Sequence, residues 1–459
     1  MESAVKEAGA IGDEISNAKN GTSVEHESLP EEEQATVDPD KMSKRYRASW
    51  FITAVLIAAE TASSGMLSLP SAVQTLGYVP GTILLVYFGA VATYTGYLIH
   101  KFCENHREVR NYDEAAGIVL GRVGREVIYA GQIIFLICAM SSEIIPGGDS
   151  IGSLSSGKLC ASISTLIFTV GGMIFSIPRT LKGVGILSIS SLITILAASI
   201  ICMVAVARQN VQSQGGPPSS DLVLKAVTHV SFYEAIVAVT DIIFAYAGHV
   251  AFINFIRELI DPKLFLKALY AAQAFIIALY ILVAIYFYSF AGNSTQSPFF
   301  GDVASLPVQQ AAYGVLLPNL FLAGVIYCNV TAKNILRRIP RRDWAYQVNW
   351  KSWGLWLVLM FILWTVAFLL AEAIPIFDDL IGIAAALFAS QFTYGLPAAF
   401  WIYDHRREWK QRKLGMIFHS ILYLISVFIL VVGVYSSANA IAIAYQQNQV
   451  PTPFTCSFG

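Results

Sequence analysis

Apolar segments of similar length recur along the whole chain, and short polar connections separate them. About 20 apolar residues in a helix cross the roughly 30 Å hydrocarbon core of a bilayer. The pattern therefore predicts an all-α polytopic membrane protein with about eleven transmembrane helices. We place these spans at roughly 50–78, 81–102, 127–148, 161–178, 184–207, 233–256, 266–290, 309–332, 353–374, 378–403 and 415–444.

Composition agrees with this pattern. Of the 459 residues, 55% are hydrophobic and 13% are charged, whereas soluble domains carry roughly 25% charged residues. The lipid bilayer is thus an expected partner, and a net charge of −1 offers no basic face to nucleic acid. The six cysteines include no CxxC pair, so no metal site is expected. Because an HExxH motif is also absent, we expect neither enzymatic activity nor a cofactor.

The two ends of the chain differ from its middle. Residues 1–45 are rich in polar and acidic residues, including Glu31-Glu32-Glu33, and lack hydrophobic periodicity. Such a segment is expected to be a disordered tail. Residues 446–459 form a shorter tail after the last apolar segment.

The distribution of positive charge predicts the orientation, since Lys and Arg collect in cytoplasmic connections. With eleven spans and a cytoplasmic N-terminus, only Lys158, Arg208 and Lys225 of the 30 lysines and arginines fall on the other side. The C-terminus is then non-cytoplasmic. Asn293, in an Asn-Ser-Thr sequence, falls in an outer loop and is a glycosylation candidate.

The middle of the first apolar segment is unlike lipid-facing helix. Between Glu60 and Gly65 it contains a carboxylate, several hydroxyls and a glycine, and Pro70 follows. A helix weakened in hydrocarbon persists only where its freed backbone groups face protein, water or a ligand. The first span is therefore predicted to be broken at a binding site.

The sixth segment repeats this feature, because Asp241, Gly248 and His249 lie in its middle. Interrupted helices at matching places in two halves indicate the central site of a transporter. Five spans per half is an odd number, so the second half must cross the membrane in the opposite direction to the first.

The predicted transporter domain, 46–445, accordingly comprises repeat one at about 50–207, repeat two at about 233–403 and an extra helix at about 415–444.

The broken helices suit a zwitterion. Free N–H groups where the first span restarts, near Ser64, suit a carboxylate. Free carbonyls where the half-helices end suit an ammonium, and aromatic residues of the sixth span are placed to cover a side chain. The expected substrate-binding residues are Thr61, Ala62, Ser63, Ser64, Gly65, Met66, Phe244, Tyr246, Ala247 and Gly248. The alternative is that Gly65 and Gly248 serve only close helix packing.

Intramembrane ionisable residues are costly and are usually functional. Glu60 and Asp241 are candidates for a carboxylate that takes up and releases a proton, and His249 is a further coupling candidate. The alternative for each is a permanently hydrogen-bonded structural role. Glu143, close to Pro146-Gly147-Gly148, is expected at the outer interface.

These same stretches resemble a known family. Residues 65–70, Gly-Met-Leu-Ser-Leu-Pro, resemble the G-x-L-x-L-P signature in the first span of the amino acid/auxin permease family, also called the amino acid transporter transmembrane family. Residues 244–249, Phe-Ala-Tyr-Ala-Gly-His, resemble its sixth span, particularly in fungal neutral amino acid permeases. Residues 373–380 resemble the entry to its tenth span.

The resemblance implies a LeuT-like five-plus-five inverted repeat plus one extra helix, working as a secondary amino acid transporter that in fungi is usually proton-coupled. Ser63 stands where many members have a second glycine, and Glu60 stands where an apolar residue is usual. Sodium-dependent members tend to have asparagine near position 59, where this chain has alanine. The expected coupling ion is therefore H⁺.

We thus predict a permease of the APC superfamily that moves neutral aliphatic or aromatic amino acids by proton symport and alternating access. Spans 3 and 8 are expected to line the side-chain pocket. The expected location is the plasma membrane, with the vacuolar membrane as the alternative. The competing function is an amino acid sensor, or transceptor, that binds the amino acid and signals without net flux.

Overall fold

The computed structural model describes residues 48–179, 184–213, 224–292, 295–339 and 350–447. The predicted tail 1–45, the glycosylation candidate Asn293 and most of the tail 446–459 lie outside the described residues.

Eleven helical spans follow one another along the described chain. Spans 1 to 5 are Trp50–Thr61 with Ser64–Ser68 and Leu69–Leu76, Tyr78–Asn105, Tyr112–Leu154, Ala161–Phe175 and Val184–Ser213. Spans 6 to 8 are Phe232–Ala245 with Gly248–Ala251 and Phe252–Glu258, Phe265–Ala291 and Leu306–Arg338. Spans 9 to 11 are Trp350–Ala373, Phe377–Ala384 with Ala385–Gly395 and Leu396–His405, and Lys413–Gln446.

Within the described residues, 9 helices are long and apolar enough to cross a membrane, and the bent pair of span 1 raises this to 10. Ala161–Phe175 is also apolar but has only 15 residues, fewer than the about 20 that a full crossing takes. These helices account for the predicted spans. Span 3 differs most in length from its prediction of 127–148. It begins at Tyr112, bends at Gly121, where φ is 73°, and continues to Leu154.

Small residues set the distances between helices, as is usual in membranes. The indole of Trp364 in span 9 lies against Gly172 of span 4 and Gly324 of span 8. A Cβ added to Gly324 would lie 2.8 Å from that ring. The indole Nε1 donates to the Ser176 hydroxyl at 3.0 Å, so the tryptophan's one polar atom has a partner.

Span 10 contains a π-helical segment, Ala385–Gly395, between two α-helical parts. Span 11 packs along it, and a Cβ added to Gly433 would lie 2.7 Å from the Ala386 Cβ. The Gln391 Nε2 donates to the Ser426 carbonyl of span 11 at 2.9 Å. The extra helix of the predicted layout is thus attached to the second half of the chain at a backbone irregularity.

Cys160, just before span 4, is disulfide-bonded, and Cys456 lies outside the described residues. Cys103, Cys138, Cys202 and Cys328 are free and buried.

Candidate functional site

Span 1 is broken where the sequence predicts. Its first helix ends at Thr61, and the next two residues have non-helical backbone, with φ −81° and ψ 67° at Ala62 and φ −124° and ψ −144° at Ser63. The chain then restarts at Ser64, and the two halves meet at an angle of 49°. The end carbonyls of the first half and the first N–H groups of the second are thereby released from the helix.

Span 6 is broken in the same way. Its first helix ends at Ala245, Tyr246 and Ala247 depart from helical geometry, and a short 3₁₀ turn begins at Gly248. Two short-range backbone hydrogen bonds close the end of this first helix. Ala247 N donates to the Phe244 carbonyl and Gly248 N donates to the Tyr246 carbonyl, both at 3.0 Å.

The two breaks touch each other through glycine. A Cβ added to Gly65 would lie 2.7 Å from the Cα of Ala245, and one added to Gly248 would lie 2.8 Å from the Thr61 Oγ1. Each glycine therefore packs against the last residue of the first half of the other span. Because the packing is reciprocal, the two breaks lie at the same point of the structure.

Tyr280 of span 7 lies at this crossing. Its hydroxyl is 2.6 Å from the Thr61 carbonyl and 2.8 Å from the Ala245 carbonyl. These carbonyls belong to the last residues of the two first half-helices, so one buried hydroxyl connects both ends. The sequence did not indicate Tyr280, because it stands among apolar neighbours in an otherwise ordinary span.

A cavity of about 30 Å³ lies between the breaks. Its walls come from spans 1 and 6, and also from spans 3 and 8, which the sequence predicts as pocket-lining. The lining residues are Glu60, Thr61, Ser63, Ser64, Gly65, Phe135, Leu136, Ala139, Phe244, Ala245, Ala247, Gly248, Val250 and Tyr327. Since benzene needs a cavity of about 150 Å³, an amino acid enters only if side chains move.

Seven of the ten predicted substrate-binding residues line this cavity, and Ala62, Met66 and Tyr246 do not. All three are fully buried behind its wall. Tyr246 turns toward span 2, where its hydroxyl donates to the Leu85 carbonyl at 3.1 Å. Of the two predicted aromatic covers, only Phe244 faces the cavity.

Glu143 of span 3 belongs to the site, and the expectation that it lies at the outer interface is wrong. It is fully buried, and its Oε1 accepts a 2.7 Å hydrogen bond from the Ser63 hydroxyl in the span 1 break. The adjacent Ser142 donates to the Ala139 carbonyl and so accepts from the Ser64 hydroxyl at 3.0 Å. Span 3 continues through Pro146 to Leu154, six residues beyond the predicted end at 148. At 1.5 Å per residue, Glu143 therefore lies about 9 Å farther from the end of the helix than the sequence predicts.

The three predicted proton-coupling residues are separated. Glu60 lines the cavity. Asp241 is 2% exposed and lies near Asp378 and Asp379 of span 10. The His249 Nε2 donates to the Ala92 carbonyl of span 2 at 2.8 Å and therefore carries a proton.

Hydrogen bonds on two sides of the breaks join span 1 to the second half of the chain. Ahead of span 1, Ala48 N bonds to the Glu258 carbonyl at 2.9 Å, and Ile260 N bonds to the Ala48 carbonyl at 3.1 Å. Beyond the break, the Ser71 hydroxyl donates to Asp378 at 3.1 Å, and the Ser297 hydroxyl donates to the same carboxylate. Both sets join span 1 to elements of the second half.

Comparison with known proteins gives a family and a fold. Residues 46–442 match the family described as "Transmembrane amino acid transporter protein". An "N amino acid transport system protein" of Neurospora crassa is 28% identical over 421 residues, covering 90% of this chain and 89% of that protein. A "Transmembrane transporter" of Gibberella moniliformis is 28% identical over 416 residues, covering 89% and 87%.

Among solved structures, a Na⁺-coupled sialic acid symporter in a substrate-bound outward-open state aligns with a TM-score of 0.54 and 12% identity, over 89% of this chain and 93% of that one. A nucleobase-cation-symport-1 family transporter, closed around bromovinylhydantoin, aligns with a TM-score of 0.50 and 14% identity, over 89% and 95%. Both have the LeuT-like fold, so the predicted fold class is confirmed.

Gly65→Ala tests the crossing. The added methyl meets the Ala245 backbone, which cannot rotate away, and we expect a loss of about 1–3 kcal/mol of stability from overpacking. Thermal unfolding in detergent measures this loss, and uptake should fall with it. Gly354→Ala in span 9 is the matched control, because no described atom lies within 4 Å of its added Cβ. Equal unfolding temperatures for the two variants would contradict the crossing.

Tyr280→Phe tests the shared hydroxyl. The change leaves the Thr61 and Ala245 carbonyls without this buried donor, at a cost of about 1–3 kcal/mol, and we expect lower thermal stability together with slower uptake. Tyr435→Phe, at a tyrosine that is 67% exposed, should change neither. If Tyr280→Phe behaves like Tyr435→Phe, the hydroxyl does not hold the half-helices.

Proposed function

Because the chain belongs to the transmembrane amino acid transporter family, it is an amino acid transporter, and we propose that it carries neutral amino acids together with protons by alternating access. The observation that carries this proposal is the reciprocal contact of the two broken spans beside a small cavity. Residues 46–442, nearly the whole described chain, are the transporting unit.

The backbone around the cavity supports a zwitterionic substrate. At the restart of span 1, Ser64 and Gly65 are the first residues whose N–H groups have no preceding helical turn to bond to. The carbonyls of Thr61 and Ala245 end the first half-helices. Thr61 accepts from Ser63 N–H as well as from Tyr280, whereas Ala245 keeps a second lone pair beside its bond to Tyr280. The carboxylate and the ammonium of an α-amino acid match these two opposite partial charges.

The remaining walls support a neutral substrate side chain. Phe135, Leu136 and Ala139 of span 3, with Phe244 and Val250 of span 6, are apolar. Among the cavity-lining residues there is no lysine, arginine or histidine. The transfer of an aliphatic or aromatic side chain from water to such a surface lowers the free energy of binding.

The contacts on both sides of the breaks support alternating access. In this proposal the backbone pair at Ala48 breaks when the cavity opens to one side, and the hydroxyl bonds to Asp378 break when it opens to the other. Breaking one set while the other holds opens a single side. Of the three predicted proton-coupling residues, Glu60 is the one that lies in the cavity wall.

The disulfide at Cys160 supports the predicted orientation. Disulfides persist in oxidising compartments and are rare in the cytosol, and Cys160 lies between spans 3 and 4. With the N-terminus in the cytoplasm this connection is non-cytoplasmic, which agrees with the charge distribution. The plasma membrane places that side outside the cell.

Uptake by proteoliposomes tests the proposal. With an inward proton gradient, radiolabelled leucine and phenylalanine should accumulate, a protonophore should abolish the accumulation, and neutral amino acids should compete best among the twenty. Empty liposomes are the control. Accumulation that survives the protonophore would contradict proton symport, and strongest competition by lysine or glutamate would contradict the substrate class. Binding without uptake would indicate a sensor.

A further inference from the structure

Glu143 occupies a place that the proposed function assigns to the substrate. Besides the bond from Ser63, its carboxylate lies beside the backbone N–H of Ser64, the first residue of the restarted span 1. This is where the sequence and the backbone geometry place the substrate's carboxylate. A side chain of span 3 thus presents to the break the same chemical group that the ligand would present.

Glu143 is only partly bonded there. Its Oε2 has no hydrogen-bond partner among the described residues, although the side chain is fully buried. The neighbouring Thr61 Oγ1 is likewise buried without a described partner. A buried carboxylate with one free oxygen is poorly stabilised when ionised. If a substrate carboxylate replaces the Glu143 carboxylate at the break, few hydrogen bonds to Glu143 are therefore lost.

The surroundings of Glu143 provide no fixed counter-charge. Tyr327 of span 8 lies near both Glu143 and Glu60, and within the described part of the chain neither acid forms an ion pair. The nearest positive element is the restart of span 1 itself.

Three charged groups on spans packed against span 3 have partners away from Glu143. Glu372 of span 9 accepts from Ser162 and Thr165 at 2.8 and 2.6 Å. Asp378 of span 10 accepts from Ser71. Arg338 of span 8 pairs with Asp113, at the beginning of span 3.

From these contacts, and resting on the proposed function, we propose that Glu143 competes with the substrate carboxylate for the N–H groups at the restart of span 1, and that a proton decides which of them binds. One proton added to the Glu143 carboxylate gives a neutral acid, which loses its attraction to these N–H groups. The substrate carboxylate then replaces it. When the substrate leaves on the other side, Glu143 returns one proton to water and binds the break again.

The proposal fixes the sign of the pH effect. An ionised Glu143 opposes substrate, so affinity should be highest at low pH and fall as pH rises. For one competing proton the apparent Kd rises by at most about tenfold per pH unit. If the proton binds to a residue that does not contact the site of the substrate carboxylate, this competition is absent and does not produce the pH dependence of the Kd.

Binding of radiolabelled leucine and phenylalanine to purified protein between pH 5 and pH 8 tests the proposal. The unmutated protein should lose affinity as pH rises, and Glu143→Gln should hold a Kd constant within about twofold, because its amide does not titrate. Glu372→Gln is the matched control, since Glu372 is also a buried acid that accepts hydroxyl bonds but lies at the end of span 9. It should keep the slope of the unmutated protein.

A slope in Glu143→Gln equal to that of the unmutated protein would overturn the proposal, as would a slope abolished by Glu60→Gln and not by Glu143→Gln.

If Glu143→Gln does not fold in detergent, Glu143→Asp replaces it. Its shorter side chain withdraws the carboxylate from Ser63, so affinity at pH 8 should rise at least about threefold while affinity at pH 5 stays constant. An unchanged curve contradicts the proposal. Uptake by the unmutated protein tests the proposed function separately, so the two failures are distinguishable.

Discussion

The structure depends on the close contact between two broken helices. Gly65 packs on the backbone of Ala245, and Gly248 packs on the side-chain hydroxyl of Thr61. A larger residue at Gly65 meets the Ala245 backbone and forces the spans apart, and the free peptide groups of the two breaks then no longer face one cavity. In hydrocarbon, an unmade backbone hydrogen bond costs several kcal/mol. Because of this contact, the same surrounding side chains can form hydrogen bonds to the groups freed at both breaks.

Those partners come from three other spans. Tyr280 of span 7 bonds both half-helix ends, Glu143 and Ser142 of span 3 bond the two serines of span 1, and Tyr327 of span 8 completes the wall. The polar chemistry of the site is therefore distributed around the breaks rather than contained in them. A substrate that enters must replace some of these bonds, which links binding to the positions of the surrounding spans.

The sequence predicted the breaks because their cause is local. A cluster of serines before a glycine, or a glycine beside a histidine, weakens a helix wherever it lies. It also predicted the spans, because the length of an apolar segment that crosses a bilayer depends on the membrane alone, whereas the LeuT-like arrangement of the spans came from the resemblance of residues 65–70 and 244–249 to a known family. The direction in which Tyr246 points was not predictable, because a broken helix has no 3.6-residue period from which to count. Tyr280 and Tyr327 stand in regular spans, where nothing local separates a ligand-facing tyrosine from one that packs in the core. Glu143 lies deeper than the sequence predicts, because Pro146 and two glycines are typical of a helix end, whereas close packing against Phe168 and Thr165 keeps this helix continuous.

A structure determined by electron cryo-microscopy with saturating phenylalanine tests the central claim most directly. The account predicts density for the amino acid between residues 61–65 and 244–248, with its carboxylate on the Ser64 and Gly65 N–H groups and the Glu143 side chain moved away from Ser63. Density for phenylalanine elsewhere, or continuous helix through either break, would contradict it.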